Sequence, residues 1–201
     1  MADPLETRDR ILEATLELIS EKGYLGATTR EIAHQAGVSE LTIFRKFGKK
    51  ERLFEEVLKT YTFLPRLKDL IPAVENLPVQ EALETIGIRF LRTLKERKCF
   101  VRIMLSEMNT YPEKVRKAYS QTIEEMVQTL RGYLIRLQAA GQLRDVPLDT
   151  AAVFFLRILF TTFMNAEILN QRDLSPAEME STVSQLVGIF LHGVLAEETA
   201  G

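Results

Sequence analysis

Thr28-Thr29-Arg30-Glu31-Ile32-Ala33-His34-Gln35-Ala36-Gly37-Val38-Ser39-Glu40-Leu41-Thr42-Ile43-Phe44-Arg45-Lys46-Phe47-Gly48-Lys49-Lys50-Glu51 is the stretch that decides the fold of this chain. Thr28 with Glu31 three residues later has the spacing of a capping box, which starts a helix. Ile32, Ala33 and Ala36 give that helix a small apolar face. Gly37 ends it, because glycine accepts the left-handed conformation that helix ends adopt. Ser39 can cap a second helix, in which Ile43 and Phe47 share one face. Glu40, Thr42, Arg45 and Lys46 then point elsewhere. Two short helices around a glycine turn, with polar and basic side chains outward, form the pattern of a helix-turn-helix, whose second helix enters the DNA major groove.

The rest of the composition agrees with that pattern. The chain has 201 residues, 46% of them apolar and 27% charged, enough to bury a core. Its formal net charge is -2, so an anionic partner must be met by a local patch. Between Thr28 and Arg52 the cations Arg30, Arg45, Lys46, Lys49, Lys50 and Arg52 outnumber the anions Glu31, Glu40 and Glu51. The single cysteine, Cys99, excludes an intramolecular disulfide, fits a reducing cytoplasm and reads as a small packed apolar side chain. The first residues carry no basic start and no apolar signal core. No apolar run approaches the ~18–20 residues of a membrane span; the richest, Ala151 to Phe163, is interrupted by Arg157. A cytoplasmic protein without membrane contact is expected. A small helical enzyme is the competing class. His34 and His192 are the only histidines, and neither a paired-carboxylate metal motif nor a phosphate-cradling glycine loop is present, so no metal, cofactor or catalytic residue is expected. His34 reads as a solvated helix residue.

Periodicity predicts an all-α chain of about nine helices. A first helix covers Thr7–Lys22, with Ile11, Ala14, Thr15, Leu18 and Ile19 at helical spacing, and Gly23 ends it. After the motif, a helix from Glu51 runs to Leu64, because Pro65 disfavours helix in the residue before it. Pro65, Pro72 and Pro78 punctuate a loop-like stretch with a short helix at Arg66–Leu70. Helices then cover Pro78–Lys98, Cys99–Met108, Glu113–Ala140, Leu148–Asn170 and Ser175–Ala196, the last opened by Ser175-Pro176-Ala177-Glu178. The expected division is a three-helix DNA-binding domain with a linker helix over 1–60 and a helical bundle over 61–201.

In Gly23-Tyr24, Ala27-Thr28-Thr29, Ile32-Ala33, Ala36-Gly37-Val38-Ser39, Thr42-Ile43-Phe44, Phe47 and Lys50-Glu51 the chain resembles the TetR/AcrR family of bacterial transcriptional regulators. The resemblance covers residues 8–58; beyond them only helical layout and length match. It implies a homodimer built mainly from the last two helices, binding double-stranded operator DNA and repressing nearby genes until a small molecule binds the effector domain. It also implies DNA contacts. Thr28, Thr29 and Arg30 stand at the start of the first motif helix, where free N–H groups favour an anion. Ser39, Glu40, Leu41 and Thr42 open the recognition helix, Phe44, Arg45 and Lys46 follow, and Lys50 clamps a phosphate. Three residues depart from the family pattern. Phe44 replaces a usual tyrosine and removes a phosphate hydrogen bond; Lys46 replaces a histidine; Leu41 replaces a glycine and can meet a thymine methyl or hold the helix slightly out of the groove. Glu40 either accepts from cytosine N4 or repels phosphate. A helical adaptor without DNA binding is the reading that Leu41 and Phe44 keep open.

For the effector, the helices that line the family's cavity offer Phe63, Phe90, Met104, Met108, Tyr119, Met126 and Phe163, which otherwise read as core. Arg89, Arg102, Arg157 and Glu167 lie within apolar stretches, where a buried charge needs a partner. Methionine and phenylalanine abundance implies an adaptable pocket for a hydrophobic or amphipathic effector. The helix from Leu148 is apolar nearly all round, so it is buried from two sides, one of them against a second chain. Phe154, Phe155, Arg157, Val183, Leu186, Val187, Phe190 and Val194 form the expected dimer face, with Gly188 and Gly193 permitting close approach.

Overall fold

The computed structural model describes residues 4–109 and 111–192, and every regular element among them is helical. In chain order these are α1 Pro4–Gly26, α2 Thr29–Gln35, α3 Glu40–Phe47, α4 Lys50–Tyr61, α5 Phe63–Val74, α6 Val79–Glu96, α7 Lys98–Glu107, α8 Glu113–Ala139, α9 Leu148–Phe163, a π-helical continuation of it at Met164–Leu169, and α10 Pro176–His192. They pack as two compact units, one of residues up to Arg66 with Arg97–Met126, the other of Leu67–Glu96 with Val127 onward. Packing therefore cuts the chain differently from a functional division at residue 60.

In the first unit, α1 to α4 share one apolar cluster with α7 and the start of α8. Ile11, Leu12, Ile19, Ile32, Ile43, Leu53, Phe54, Val57 and Leu58 are fully buried in it, and Phe100, Met104, Tyr111 and Val115 join them. Each such side chain contributes on the order of 1.5–3 kcal/mol by leaving water, which is what lets helices as short as α2 and α3 persist. Tyr24 packs edge-on against Phe54 at 5.2 Å and against Tyr111 at 5.7 Å.

The caps form as the sequence requires. The Thr28 hydroxyl accepts from the Glu31 N–H at 3.2 Å, while Glu31 Oε2 accepts from the Thr28 N–H at 3.1 Å. At the other end Gly37 has φ 65°, its N–H donates to His34 O, and the Val38 N–H donates to Ala33 O at 2.9 Å, the paired bonds of a Schellman motif. Lys22 Nζ reaches Glu31 Oε1 at 2.9 Å. Together the Lys22 contact and the two bonds from Thr28 hold the Glu31 carboxyl at about 2, against an ordinary 4.5.

Two elements bear on the sequence reading. First, the helix of α1 breaks at Gly23 as expected, where φ 74° and ψ 171° are non-helical, and a further short helical turn runs on to Gly26. The Glu107 carboxylate fills the space a Cβ would need; Oε1 lies 2.0 Å from that position. Second, the proline-punctuated stretch is a helix, α5. Pro65 sits in its first turn, where the missing N–H has no partner to lose, and Pro72 lies near its end. Phe63, Leu64, Leu67, Ile71 and Val74 are buried at helical spacing, and that burial outweighs the prolines.

In the second unit α6 packs against α10 and α9. Gly87 allows the approach: a Cβ there would lie 2.7 Å from Val183 Cγ1 and 3.5 Å from Leu159 Cδ1. Gly188 has nothing within 4 Å of its Cβ position, and Gly193 lies outside the described residues. The segment Leu148–Leu169, 22 residues, is long and apolar enough by composition to cross a membrane despite Arg157, contrary to the expectation that no run approaches that length. Its packing against α6 and α10 gives it the place of a core helix. Glu167 is fully buried there; Oε1 accepts from the Leu174 N–H at 2.8 Å and lies 3.8 Å from Lys95 Nζ. Cys99, expected to be packed, is exposed.

Gly23→Ala is expected to lower the unfolding free energy by about 1–3 kcal/mol, because the backbone region it occupies is open essentially to glycine alone. Chemical denaturation checks this, and an unchanged midpoint would contradict it. For Glu31 the folded-state pKa is depressed, so its contribution is present above about 4.5 and is lost as pH falls through about 2. The melting-temperature gap between the native chain and Glu31→Gln is therefore expected to be widest above pH about 4.5 and to close towards pH about 2; a pH-independent gap would refute that assignment.

Candidate nucleic-acid interface

The recognition helix α3 is held at both ends. Ser39 caps it, its hydroxyl accepting from the Thr42 N–H at 3.2 Å and lying 2.9 Å from Thr42 Oγ1. Gly48, at φ 76°, closes it through its N–H to Phe44 O. Ile43 and Phe47 are buried, which fixes the rotation of the helix about its axis. Of the expected reading positions, Leu41 is 66% and Phe44 45% exposed, and Arg30, Arg45 and Lys46 are exposed beside them.

Glu40 does not face outward unengaged. Its Oε1 accepts from Thr29 Oγ1 at 2.5 Å and so ties the start of α2 to the start of α3. No short-range pattern signals this bond, since the residues are eleven apart. Lys50 is also engaged. It is half-buried, donates to Tyr24 O and stands 4.4 Å from the Tyr24 ring centroid. Burial lowers its pKa, with the Glu51 and Glu31 charges opposing. Lys50 is thus part of the joint between α4 and the end of α1. The outward cations are instead Arg30, Arg45, Lys46, Lys49 and Arg52. A cleft of about 730 Å³ beside α3 is lined by Arg8, Phe44, Arg45, Arg52 and Lys59 with Glu55 and Glu56, and Arg8 Nη2 lies 2.6 Å from Glu56 Oε2. The surface around α3 is basic with an apolar centre.

The expected effector residues separate by environment. Met104 is buried in the core of the first unit, with Met108 and Tyr119 packed against it, so these side chains share one cluster with Ile43 and Phe47 of α3. Burial raises the pKa of the Tyr119 hydroxyl. Phe63 and Met126 are buried in the first unit, Phe90 and Phe163 in the second. Arg89 and Arg102, expected within apolar surroundings, are exposed: Arg89 at the edge of the buried stripe of α6, Arg102 opposite Phe100 and Met104 on α7. Arg157 is exposed as well; only Glu167 of the four is a buried charge.

The expected dimer residues divide likewise. Phe155, Val183 and Val187 are buried in the core of their own protomer, Val183 against Gly87. Phe154 is 50% exposed and stacks on Phe190 at 6.2 Å; Leu186 is half-buried. Ile189, which the sequence reading passed over, is 49% exposed, and it lines with Phe154, Phe190, Leu148 and Ala151 an apolar groove of about 690 Å³. Val194 lies outside the described residues.

The sequence profile of bacterial regulatory proteins of the tetR family matches residues 11–57, and that of the C-terminal domain of AefR-like transcriptional repressors matches residues 81–193. YvkB, an HTH-type transcriptional regulator of Bacillus subtilis, is 29% identical over 191 residues, covering 95% of this chain and 98% of its own. IcaR, a negative regulator of the biofilm operon icaADBC in Staphylococcus aureus, is 22% identical over 187 residues, covering 92% and 98%. Among solved structures, a TetR-family regulator from Syntrophomonas wolfei superposes with a TM-score of 0.82 at 18% identity, over 97% of this chain and 100% of that one. FadR from Bacillus subtilis, in complex with stearoyl-CoA, gives 0.75 at 19%, over 93% and 99%. These are DNA-binding regulators rather than enzymes. One profile fits the helix-turn-helix and the other spans more than half of the chain, and on those two matches the protein belongs to the TetR family of transcriptional regulators.

Proposed function

We propose that the chain is a cytoplasmic, homodimeric repressor that grips operator DNA through α2 and α3 and leaves it when a hydrophobic or amphipathic small molecule binds. In this reading residues 1–60 contact DNA and residues 61–201 bind the effector and dimerise. The observation that carries it is the α3 surface: a helix fixed by two caps and two buried anchors, presenting Leu41, Phe44 and Arg45, with Arg45, Lys46 and Arg52 lining the cleft at Phe44. The outward face of α3, unlike Ile43 and Phe47, plays no part in the core.

DNA contact falls to Thr28, Thr29 and Arg30 at the α2 start and to Leu41, Thr42, Phe44, Arg45 and Lys46 on α3. Ser39 and Glu40 serve as cap and tie, and Lys50 reaches phosphate only by releasing Tyr24 O. For the effector, Met104, Met108 and Tyr119 are the favoured contacts, because a molecule that displaces them acts on the apolar cluster that positions α3. The stearoyl-CoA held by Bacillus subtilis FadR supports an apolar-chain effector. The exposed apolar side chains Phe154 and Ile189 and the half-buried Phe190, with Arg157, are the proposed partner face, and two recognition helices would then meet half-sites ~34–36 Å apart.

Fluorescence anisotropy with the chain's own upstream DNA tests the central claim. Binding is expected to exceed that to random duplex, and Arg30→Ala and Arg45→Ala are each expected to weaken it and to lower the salt slope by about 1. Stearoyl-CoA, used as the probe effector, is expected to release the DNA. Equal affinity for random duplex, or variants without effect, would overturn the reading. Sedimentation tests the dimer: the native chain is expected at twice its 23.0 kDa mass and Phe154→Lys as a monomer. A native chain sedimenting as a monomer at micromolar concentration would exclude this interface.

A further inference from the structure

We infer that α3 reads thymine: Leu41 and Phe44 form a methyl-contacting face that selects half-sites with thymines at neighbouring base pairs. The inference rests on the DNA-binding role proposed above and names what that surface recognises.

The polar groups at the start of α3 are engaged within the protein. Glu40 Oε1 accepts from Thr29 Oγ1 at 2.5 Å, and Ser39 Oγ lies 2.9 Å from Thr42 Oγ1. Glu40 is therefore tied through Oε1 to α2, and the Ser39 hydroxyl is spent on capping the helix. What projects is apolar, Leu41 at 66% and Phe44 at 45% exposure. Large side chains left in water on a helix anchored by Ile43 and Phe47 mark an interaction surface. The occupant follows from charge: Phe44 shares its cleft with Arg45, Lys46 and Arg52, and Arg30 and Lys49 are exposed on the same motif, so the partner is a polyanion that also offers an apolar group. Among the base edges of the major groove only thymine has one, its C5-methyl.

The spacing agrees. Residues three apart lie on one helix face and advance ~4.5 Å along the axis, close to one base step of ~3.4 Å. Leu41 and Phe44 can thus each cover a methyl on successive base pairs, with Arg45 free for phosphate or a guanine edge. Phenylalanine at position 44 has no hydroxyl to offer a phosphate, which leaves hydrophobic contact as its use.

The test selects binding sites from random duplexes with the full-length protein, then replaces each selected thymine by deoxyuridine, which removes the C5-methyl and leaves the hydrogen-bonding edge intact. Adjacent thymines are expected in each half-site, with a loss of about fourfold per methyl removed. Leu41→Ala and Phe44→Ala are each expected to abolish the thymine-over-uridine preference at one position, whereas Arg45→Ala weakens binding and keeps it. A specific site whose affinity is unchanged by uridine at every position would overturn the inference while leaving the repressor reading intact. Failure to enrich any site would remove both. The uridine arm uses the native protein, so it does not depend on a variant folding.

Discussion

The helix-turn-helix hangs from a single residue, Tyr24, through its backbone N–H and carbonyl. The Tyr24 N–H donates to Glu107 Oε2 at 3.1 Å, and the Tyr24 carbonyl accepts from Lys50. Glu107 ends α7, and Lys50 begins α4, the helix that follows α3. The Tyr24 ring, pressed between Phe54 and Tyr111, fixes the same residue from a third side, and its burial and the Glu51 and Glu55 charges push its hydroxyl pKa up to about 12. A backbone group so held cannot shift alone. Any change in where α7 ends is felt at the start of α4, within one packed unit.

This arrangement explains why α2 and α3 can be so short. Helices of seven and eight residues lack intrinsic stability. Their geometry is set by a capping box, a Schellman turn and a serine cap, and by the Glu40 bond that crosses between them. Each contributes on the order of 1 kcal/mol, and the buried anchors Ile32, Ile43 and Phe47 supply the rest. The outward face is then free of any packing duty, so its side chains can be chosen for the partner alone.

What the sequence made legible follows range. Caps and turns act over three to five residues, and Thr28, Glu31, Gly37 and Ser39 could be read directly. Helical stripes were legible too, but a stripe does not say which neighbour covers it. Phe155, Val183 and Val187 therefore fell to the protomer's own core, while Ile189, on the same helix as Val187, was left outside. The stretch 65–78 misled because proline rules were weighed before the buried stripe Phe63, Leu67, Ile71 and Val74. The contacts of Glu107 with Gly23 and Tyr24 cross more than eighty residues and have no local signature.

The place of Glu107 in the gap left by Gly23 ties two distant positions in evolution. A side chain at 23 demands that the Glu107 carboxylate swing aside, as well as a strained backbone at the α1 break. Shortening residue 107 first would strip the Tyr24 N–H of its acceptor, and enlarging residue 23 first would push the carboxylate away from that same N–H. Neither single step is neutral, so drift at one site is blocked by the other. Across homologues that retain the bend, these two columns should change together or not at all.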